Sequence, residues 1–397
     1  MNARLLASTA ALIALSSAAT RAASAQSLNQ RIVEAPAALV EFRFATRAGV
    51  CGDGQTYVHL GSRGGSAFYG SFDEAGEAPC VAGPARVVLE RAAGQVVALR
   101  VFVGPRGTDG ATDLGVVSPG EASRYLLHLA ATAQGAVARD AIMPAMLADS
   151  ADNQAALVAL VRDQSRSHDL RRSAIAWLGR GIAVNAAVPG VLVSIATDDT
   201  DNQSVRQQAL STLARLDGGV GIPALTHLAD DPDGGWVARG ALAVIAQSGD
   251  PRARDYLRGV VRKAALPDQA LAVAVRSFAQ SYATAADIAT IRDAWPRFTG
   301  DRTRRVAILA VAEFGGAANT SWLVSLYDRT TDPDTKAMVI STLGEIGDRA
   351  AVDKLLAIAR TDESLAARRR AISVLGRTSD PRVKVALEAL VEGSPRR

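Results

Sequence analysis

The chain has 397 residues and carries 44 Lys+Arg against 40 Asp+Glu, a formal net charge of +4. That near-balance, with no Lys/Arg run interleaved with aromatics, lacks the electrostatic footprint of a nucleic-acid binder. Apolar residues make up 48% and aromatics only 5%, a globular composition in which abundant Ala and Leu favour helix.

Residues 1–25 begin with Arg4, continue through an apolar run from Leu5 to Ala19, and end in Ala23-Ser24-Ala25 before Gln26. This is the layout of a secretory signal peptide. An uncleaved anchor is the alternative, but the run of about 15 residues falls short of the ~20 that a spanning helix needs. The expectation is a bacterial-type exported protein, periplasmic or secreted, with no stable membrane insertion after cleavage. Removing Arg4 and Arg21 leaves 42 bases against 40 acids.

Residues 30–105 read as a small β-rich domain. Val40 to Thr46 alternates apolar and polar residues, and Arg86–Arg91 and Gln95–Val103 flank Ala92-Ala93-Gly94 as a hairpin would. The chain's two cysteines, Cys51 and Cys80, both fall here. In an oxidising compartment such a pair is most simply a disulfide. A zinc site needs four ligands, and the nearest histidine, His59, stands alone. A core of this size is marginal, so a covalent staple is physically sensible. Residues 106–119 are glycine-rich with two aspartates. They match neither a phosphate loop nor a calcium loop, and read as a linker.

From 120 to 392 a repeat runs without a break. Ile142, Ile175, Leu210, Leu242, Val275, Ile308, Ile340 and Ile372 recur at spacings of 32 to 35 residues. A second ruler, Leu157, Leu192, Leu225, Leu257, Ile288, Leu323, Leu355 and Leu387, keeps the same period, each with an apolar residue three positions on. Two registers sharing one period predict a solenoid of about eight two-helix units. Helix A of one unit covers roughly 203–215, and Pro223 opens helix B. Leu126 and Leu129 suggest one further helix that caps the stack against the β domain.

Here the sequence resembles a known family. Asn202 to Leu213, with its Val205-Arg206-x-x-Ala209-Leu210 core, and Asp169 to Gly179 look like the first helix of HEAT-type repeats. The resemblance covers about residues 136–392. It implies a right-handed curved superhelix with B helices on the concave side, and a protein-binding role. Basic residues in the Arg206 register (Arg171, Arg304, Lys336, Arg368) are expected to pair with loop aspartates such as Asp169, Asp201 and Asp334. The run Arg368-Arg369-Arg370 reads as a solvated face.

Chemistry is harder to find. The histidines His59, His128, His168 and His227 are scattered, with no nucleophile or acid recurring beside them. Deoxyhypusine hydroxylases, which share the HEAT-like fold, hold iron through His-Glu dipeptides, and this chain has none; bilin lyases with such repeats are similar only through the repeat itself. No nucleophile elbow or His-Glu-x-x-His motif is present. No cofactor or metal is implied.

The leading reading is a non-catalytic scaffold that binds a protein or peptide on the concave helix-B surface. The position before the helix-B leucine holds Val191, Ala224, Tyr256, Asp287, Trp322, Lys354 and Ala386. Asp287 and Lys354 mark that register as water-facing, which makes Tyr256 and Trp322 candidate anchors with Arg258 and Arg292 beside them. Trp236 and Trp177 are candidates by the same test. The competing reading is that each aromatic fills a gap in an alanine-rich stack. An enzyme or small-ligand carrier, lyase-like, is the alternative. Its pocket would lie where the β domain meets the first helices, with His128, Asp53 and His59 converging. A structural envelope component is a third possibility.

Overall fold

The computed structural model describes residues 27–55, 57–60, 66–68, 80–105, 110–180, 186–282, 284–378 and 380–392. The segment read as a signal peptide, and the loop Gly61–Gly65, lie outside the described residues. Helix α1 (Leu28–Glu34) precedes β1 (Leu39–Phe44), β2 (Val50–Gly52), β3 (Tyr57–Leu60), β4 (Ser66–Phe68), β5 (Val81–Ala82), β6 (Ala85–Ala92), β7 (Gln95–Val103) and β8 (Thr112–Val116). They form two four-stranded sheets, ordered β7-β6-β1-β8 and β4-β3-β2-β5.

The β6–β7 hairpin turns through Ala93 and Gly94, whose φ values of 49° and 78° give the left-handed geometry that matches strand twist. The two sheets approach closely at Gly52. A Cβ there would lie 2.4 Å from the Val103 carbonyl oxygen, so only glycine fits. Cys51 and Cys80 form a disulfide, with Cα atoms 5.1 Å apart, that ties β2 to the chain entering β5.

Two expectations for this region are corrected. Thr112–Val116, inside the stretch read as a linker, is β8, which pairs in parallel with β1 at the sheet edge. Its Asp and Gly give weak strand propensity. Tertiary contacts place it instead: Arg43 bonds Asp113 at 2.8 Å and the Val117 amide donates to the Arg43 carbonyl. The alternation in β1 predicts one wet face, yet Glu41 is buried, because the second sheet covers that side. Its charge is met by Arg86 at 3.2 Å, whose guanidinium lies 4.5 Å above the Phe102 ring.

Helix α2 (Pro119–Thr132) carries Leu126 and Leu129 and caps the stack against the β domain, as expected. Ser118 accepts from the Glu121 amide at its N-terminus, Pro119 fills the first turn, and Tyr125 meets Phe42 edge-on at 6.0 Å. The Glu121 carboxylate in turn accepts from the Leu28 amide at 2.7 Å, anchoring α1. The short helices α3 (Gly135–Asp140) and α4 (Ile142–Leu147) follow. Sheet and first helices share one continuous apolar core.

The rest is a stack of paired helices. One row comprises α5 (Gln154–Arg162), α7 (Val188–Thr197), α9 (Ile222–Ala229), α11 (Pro251–Lys263), α13 (Ala285–Ala294), α15 (Ala317–Arg329), α17 (Arg349–Thr361) and α19 (Pro381–Glu392). The alternating row comprises α6 (His168–Leu178), α8 (Gln203–Ala214), α10 (Gly235–Ile245), α12 (Asp268–Tyr282), α14 (Asp301–Phe314), α16 (Pro333–Ile346) and α18 (Leu365–Leu375). Both rulers lie inside helices, and their described members are buried with one exception. Ile372 is 39% exposed, because no further even-row helix covers it among the described residues.

The period was legible but its phase was not. With the exception of α13, each odd helix from α5 to α17 packs most extensively against the even helix that follows it: α5 with α6, α7 with α8, α9 with α10. The Val-Arg helix is therefore the second of its unit, not the first. The even helices also pack along their own row more extensively than the odd helices do. The register of Tyr256 and Trp322 therefore lies on the odd row, not on the row of the Val-Arg helices.

The recurrent arginine of the even row has a structural task. Nε of Arg171, Arg206 and Arg304 donates to the carbonyls of Val161, Ala196 and Phe298, at or just beyond the end of the preceding odd helix. This satisfies acceptors that a helix end leaves open. Arg171, 2% exposed, also holds Asp201 at 2.6 Å. Asp169 instead meets Arg172 at 3.8 Å.

Replacing Cys51 and Cys80 together by serine frees a loop of 29 residues. The expected loss is about 3–4 kcal/mol on the chain-entropy model. Urea titration should show the β-domain transition moving to lower denaturant; an unmoved midpoint would show that the staple contributes nothing.

Candidate functional site

The aromatic and arginine positions singled out in the sequence are mostly committed within the fold. The premise that Asp287 faces water fails, since it is fully buried. Its carboxylate accepts from Arg258 at 3.0 Å, from Arg254, and from the Thr284 hydroxyl in a capping box at the start of α13. Burial by itself would raise its pKa. The bonds from Thr284, Arg254 and Arg258 together outweigh that and hold it below the usual carboxylate value. Arg258 is thereby occupied, and it also bonds Asp255 at 2.6 Å. Lys354 pairs with Asp328 and lies over the Tyr327 ring.

Tyr256 is half-buried on α11 and its hydroxyl donates to Asp230 at 2.7 Å. Burial, and then that bond, push its pKa well above the ordinary tyrosine value. Trp322 on α15 packs edge-on against Trp295 at 5.6 Å, and the pair joins the two apolar clusters of the stack. Trp177, expected to be partly exposed, is only 5% exposed, with the Arg180 guanidinium 5.3 Å from its ring. Trp236 is partly buried under the Arg206 guanidinium, 5.1 Å from its ring. Arg292 is half-buried and donates to the Ala318 carbonyl at 3.2 Å.

The more concave features lie at the junction of β domain and solenoid. There Thr46 and Ala148 form a β-bridge, the Arg47 amide donates to the Leu147 carbonyl at 2.9 Å, and the Asp149 amide donates to Ala45. Beside this seam is a cavity of about 300 Å³. Arg47 reaches it from the β1–β2 loop; Asp152, Asn153 and Gln154 come from the start of α5; Trp177 and Leu178 come from α6. Polar groups line one side and an aromatic-aliphatic wall the other. That division suits a ligand with an apolar body and a polar end. Ser150, on the loop that frames the cavity, holds a φ of +53°. A left-handed non-glycine residue there is strain stored at a lining loop. Asn153 is held by the Ala145 carbonyl at 2.9 Å and by Ser123, which fixes the mouth of α5.

A second junction groove of about 560 Å³ runs between α1, the β6–β7 hairpin and α2, lined by Arg91, Gln95, Tyr125 and His128 among others. Burial raises the Tyr125 pKa to about 12, partly offset by Arg91. The expected convergence of His128, Asp53 and His59 does not occur. His128 lines this groove, whereas Asp53 accepts the Gln55 and Tyr57 amides of its own turn and His59 sits on β3 opposite Cys51. Among the described residues no three His, Cys, Asp or Glu side chains gather as a metal-ion site, and no helix is long and apolar enough to cross a membrane. Arg47 and Asn153 escaped the sequence reading. The polar run Asp149-Ser150-Asp152-Asn153 marks a loop, but nothing in it announces which wall it frames.

The architecture is that of an α-solenoid fronted by a disulfide-linked β domain. The family model described as HEAT repeats matches residues 154–246, 188–279 and 320–397, together more than half of the chain. The chain belongs to the HEAT-repeat family. The first and third matches begin within the first turns of odd helices and the second at the start of α7, in agreement with the corrected phase. No curated protein matches it. Among solved structures, human deoxyhypusine hydroxylase in complex with glycerol is 16% identical, with a TM-score of 0.28, over 65% of this chain and 96% of that one. The complex of CpcE and CpcF of phycocyanin lyase from Nostoc is 20% identical, with a TM-score of 0.28, over 60% and 94%.

Asp287→Asn removes the carboxylate that Arg254 and Arg258 share. Because the folded pKa is depressed, that carboxylate stabilises the fold above the ordinary aspartate range, and its contribution fades as pH falls. The variant should be less stable at pH 7 by about 1–3 kcal/mol, with the gap to wild type closing below pH ~4. Denaturation midpoints measured from pH 7 to pH 3 check this, and a gap constant with pH would rule it out.

Proposed function

We propose that the protein is an exported, non-catalytic ligand carrier whose binding site is the cavity at the junction of β domain and solenoid. The observation that carries this reading is convergence: Arg47 from one segment and Asp152, Gln154 and Trp177 from the other line one space of about 300 Å³. The size is at the lower end of small-molecule pockets. Its occupant is a compact amphipathic molecule, the apolar part on Trp177 and Leu178 and the polar end toward Arg47 and Asp152. Backbone bonds across the seam keep the two walls in register without the ligand, so little ordering cost falls on binding. Export follows from the layout of residues 1–25 and is consistent with the disulfide, which persists in oxidising compartments. In the scaffold reading, Tyr256, Trp322 and Arg258 would bind a partner only by giving up their internal contacts, and the junction requires no such rearrangement.

Ala151 lines this cavity and is only partly buried, so Ala151→Trp should fill the space while leaving the fold intact. Native mass spectrometry of protein from the exported fraction should show an added small-molecule mass on wild type. The variant should lack it at an unchanged melting temperature. A bare wild type that also fails to bind any compound of an amphipathic library would end this reading. N-terminal sequencing of the same sample should begin near Gln26, and a chain retaining Met1 would remove the export half of it.

A further inference from the structure

The even-row helices carry a second feature that is independent of the junction. Relative to the apolar ruler (Ile175, Leu210, Leu242, Val275, Ile308, Ile340, Ile372), the residues three before and one after share a helix face. In α6, α10, α12, α14 and α18 that face presents Arg172, Arg239, Arg276, Arg305 and Arg369. In α8 and α16 it presents Gln207, Ser211, Ala337 and Ser341. No acid occupies either position in any of the seven helices, although the whole chain is nearly charge-balanced. Carboxylates on these helices are confined to the first turns, as Asp169, Asp301 and Asp334, or to the ends, as Glu313 and Glu345.

The fate of these arginines separates them from the structural set. Arg172 has only a loose partner, Asp169 at 3.8 Å. Arg239, Arg276, Arg305 and Arg369 form no ion pair among the described residues. Arg276, Arg305 and Arg369 are exposed and Arg239 is half-exposed. Beside Arg305 stands Leu309, 45% exposed, an apolar residue on the same face. The row is also the one along which neighbouring helices pack more extensively.

We propose that this arginine stripe is a docking surface for an extended, acidic polypeptide segment. Packed helices lie about 8–10 Å apart and an extended chain rises about 3.3 Å per residue. One carboxylate at roughly every third position of the partner therefore meets one helix of the stack. Charge complementarity sets the register, and Leu309, one turn on from Arg305 in α14, supplies an apolar foothold. The small side chains Ala176, Ala243 and Ser211 in the intervening positions let a backbone lie close. The stripe positions carry no aromatic, and the nearest, Trp236, is already covered by the Arg206 guanidinium, which favours a polypeptide over a single-stranded nucleic acid.

The test is fluorescence anisotropy on the purified protein with a labelled 18-residue peptide bearing Glu at every third position. A Gln-for-Glu peptide and an 18-nucleotide single strand are run beside it. The triple variant Arg239→Gln/Arg276→Gln/Arg305→Gln is compared with Arg262→Gln/Arg329→Gln/Arg360→Gln, which removes the same charge from exposed odd-row positions. The acidic peptide should bind wild type and the odd-row variant alike, weaken with added salt, and lose at least tenfold in affinity on the stripe variant. Circular dichroism should show both variants folded. Equal loss in the two variants, or no preference of wild type for Glu over Gln peptide, overturns the proposal. Tighter, stripe-dependent binding of the oligonucleotide would overturn the polypeptide as occupant.

Discussion

A two-helix unit of this chain has apolar residues on two flanks and can bury only one of them by itself. The other must be covered by the next unit, and everything else in the molecule follows from that need. Leu210 shows the geometry: it reaches so close to Gly240 of the next even helix that a Cβ there would lie 2.8 Å from its side chain. Close approach of this kind draws the even row together. Where no further even-row helix follows among the described residues, Ile372 is left exposed in the position that its equivalents bury.

At the other end the same requirement is met by a different material. A sheet face can cover a helix flank as well as another helix can, provided its apolar side chains point that way. Phe42 against Tyr125, and the Thr46–Ala148 bridge, make the β domain the cap of the stack. A sheet and a helix pair do not share a repeat geometry, however, so their seam cannot close as evenly as one unit on the next. The cavity between Arg47 and Trp177 is where that mismatch leaves space. A binding site at this place needs no special device. It is what the change from one secondary structure to the other produces, furnished with polar groups by a loop that must itself be satisfied.

The period, the number of units, the capping helix, the hairpin and the cysteine pairing were all legible in the sequence, because each rests on a local signal. Phase was not, since a repeat of A then B and a repeat of B then A have the same spacing; only the packing of α7 on α8 separates them. Asp287 misled for a related reason. A lone carboxylate in a helical register reads as a sign of water unless its partners are visible, and Arg254 and Arg258 lie about thirty residues away in sequence. Strand β8 was hidden because pairing with β1, not its own composition, makes it a strand. The junction cavity was placed correctly as a location, while its lining residues depend on a loop conformation that no pattern encodes.

Charge on the even row divides by a single residue step. Arg171 and Arg172 are neighbours in sequence, yet successive side chains on a helix point about 100° apart. The first turns inward to the Val161 carbonyl and Asp201 and is 2% exposed; the second turns outward and keeps only a distant carboxylate. Arg304 and Arg305 repeat the arrangement: one caps the end of the preceding turn at 2.7 Å and the other faces solvent. A structural arginine in this register supplies the donor that the carbonyls at the helix end otherwise lack. No such demand acts on the outward position, where glutamine, alanine or serine serves the fold equally well. Packing thus explains Arg171 and Arg304 and leaves Arg172 and Arg305 without a structural reason to be basic. A surface built from cations that the fold does not require is the part of a solenoid in which binding specificity can reside.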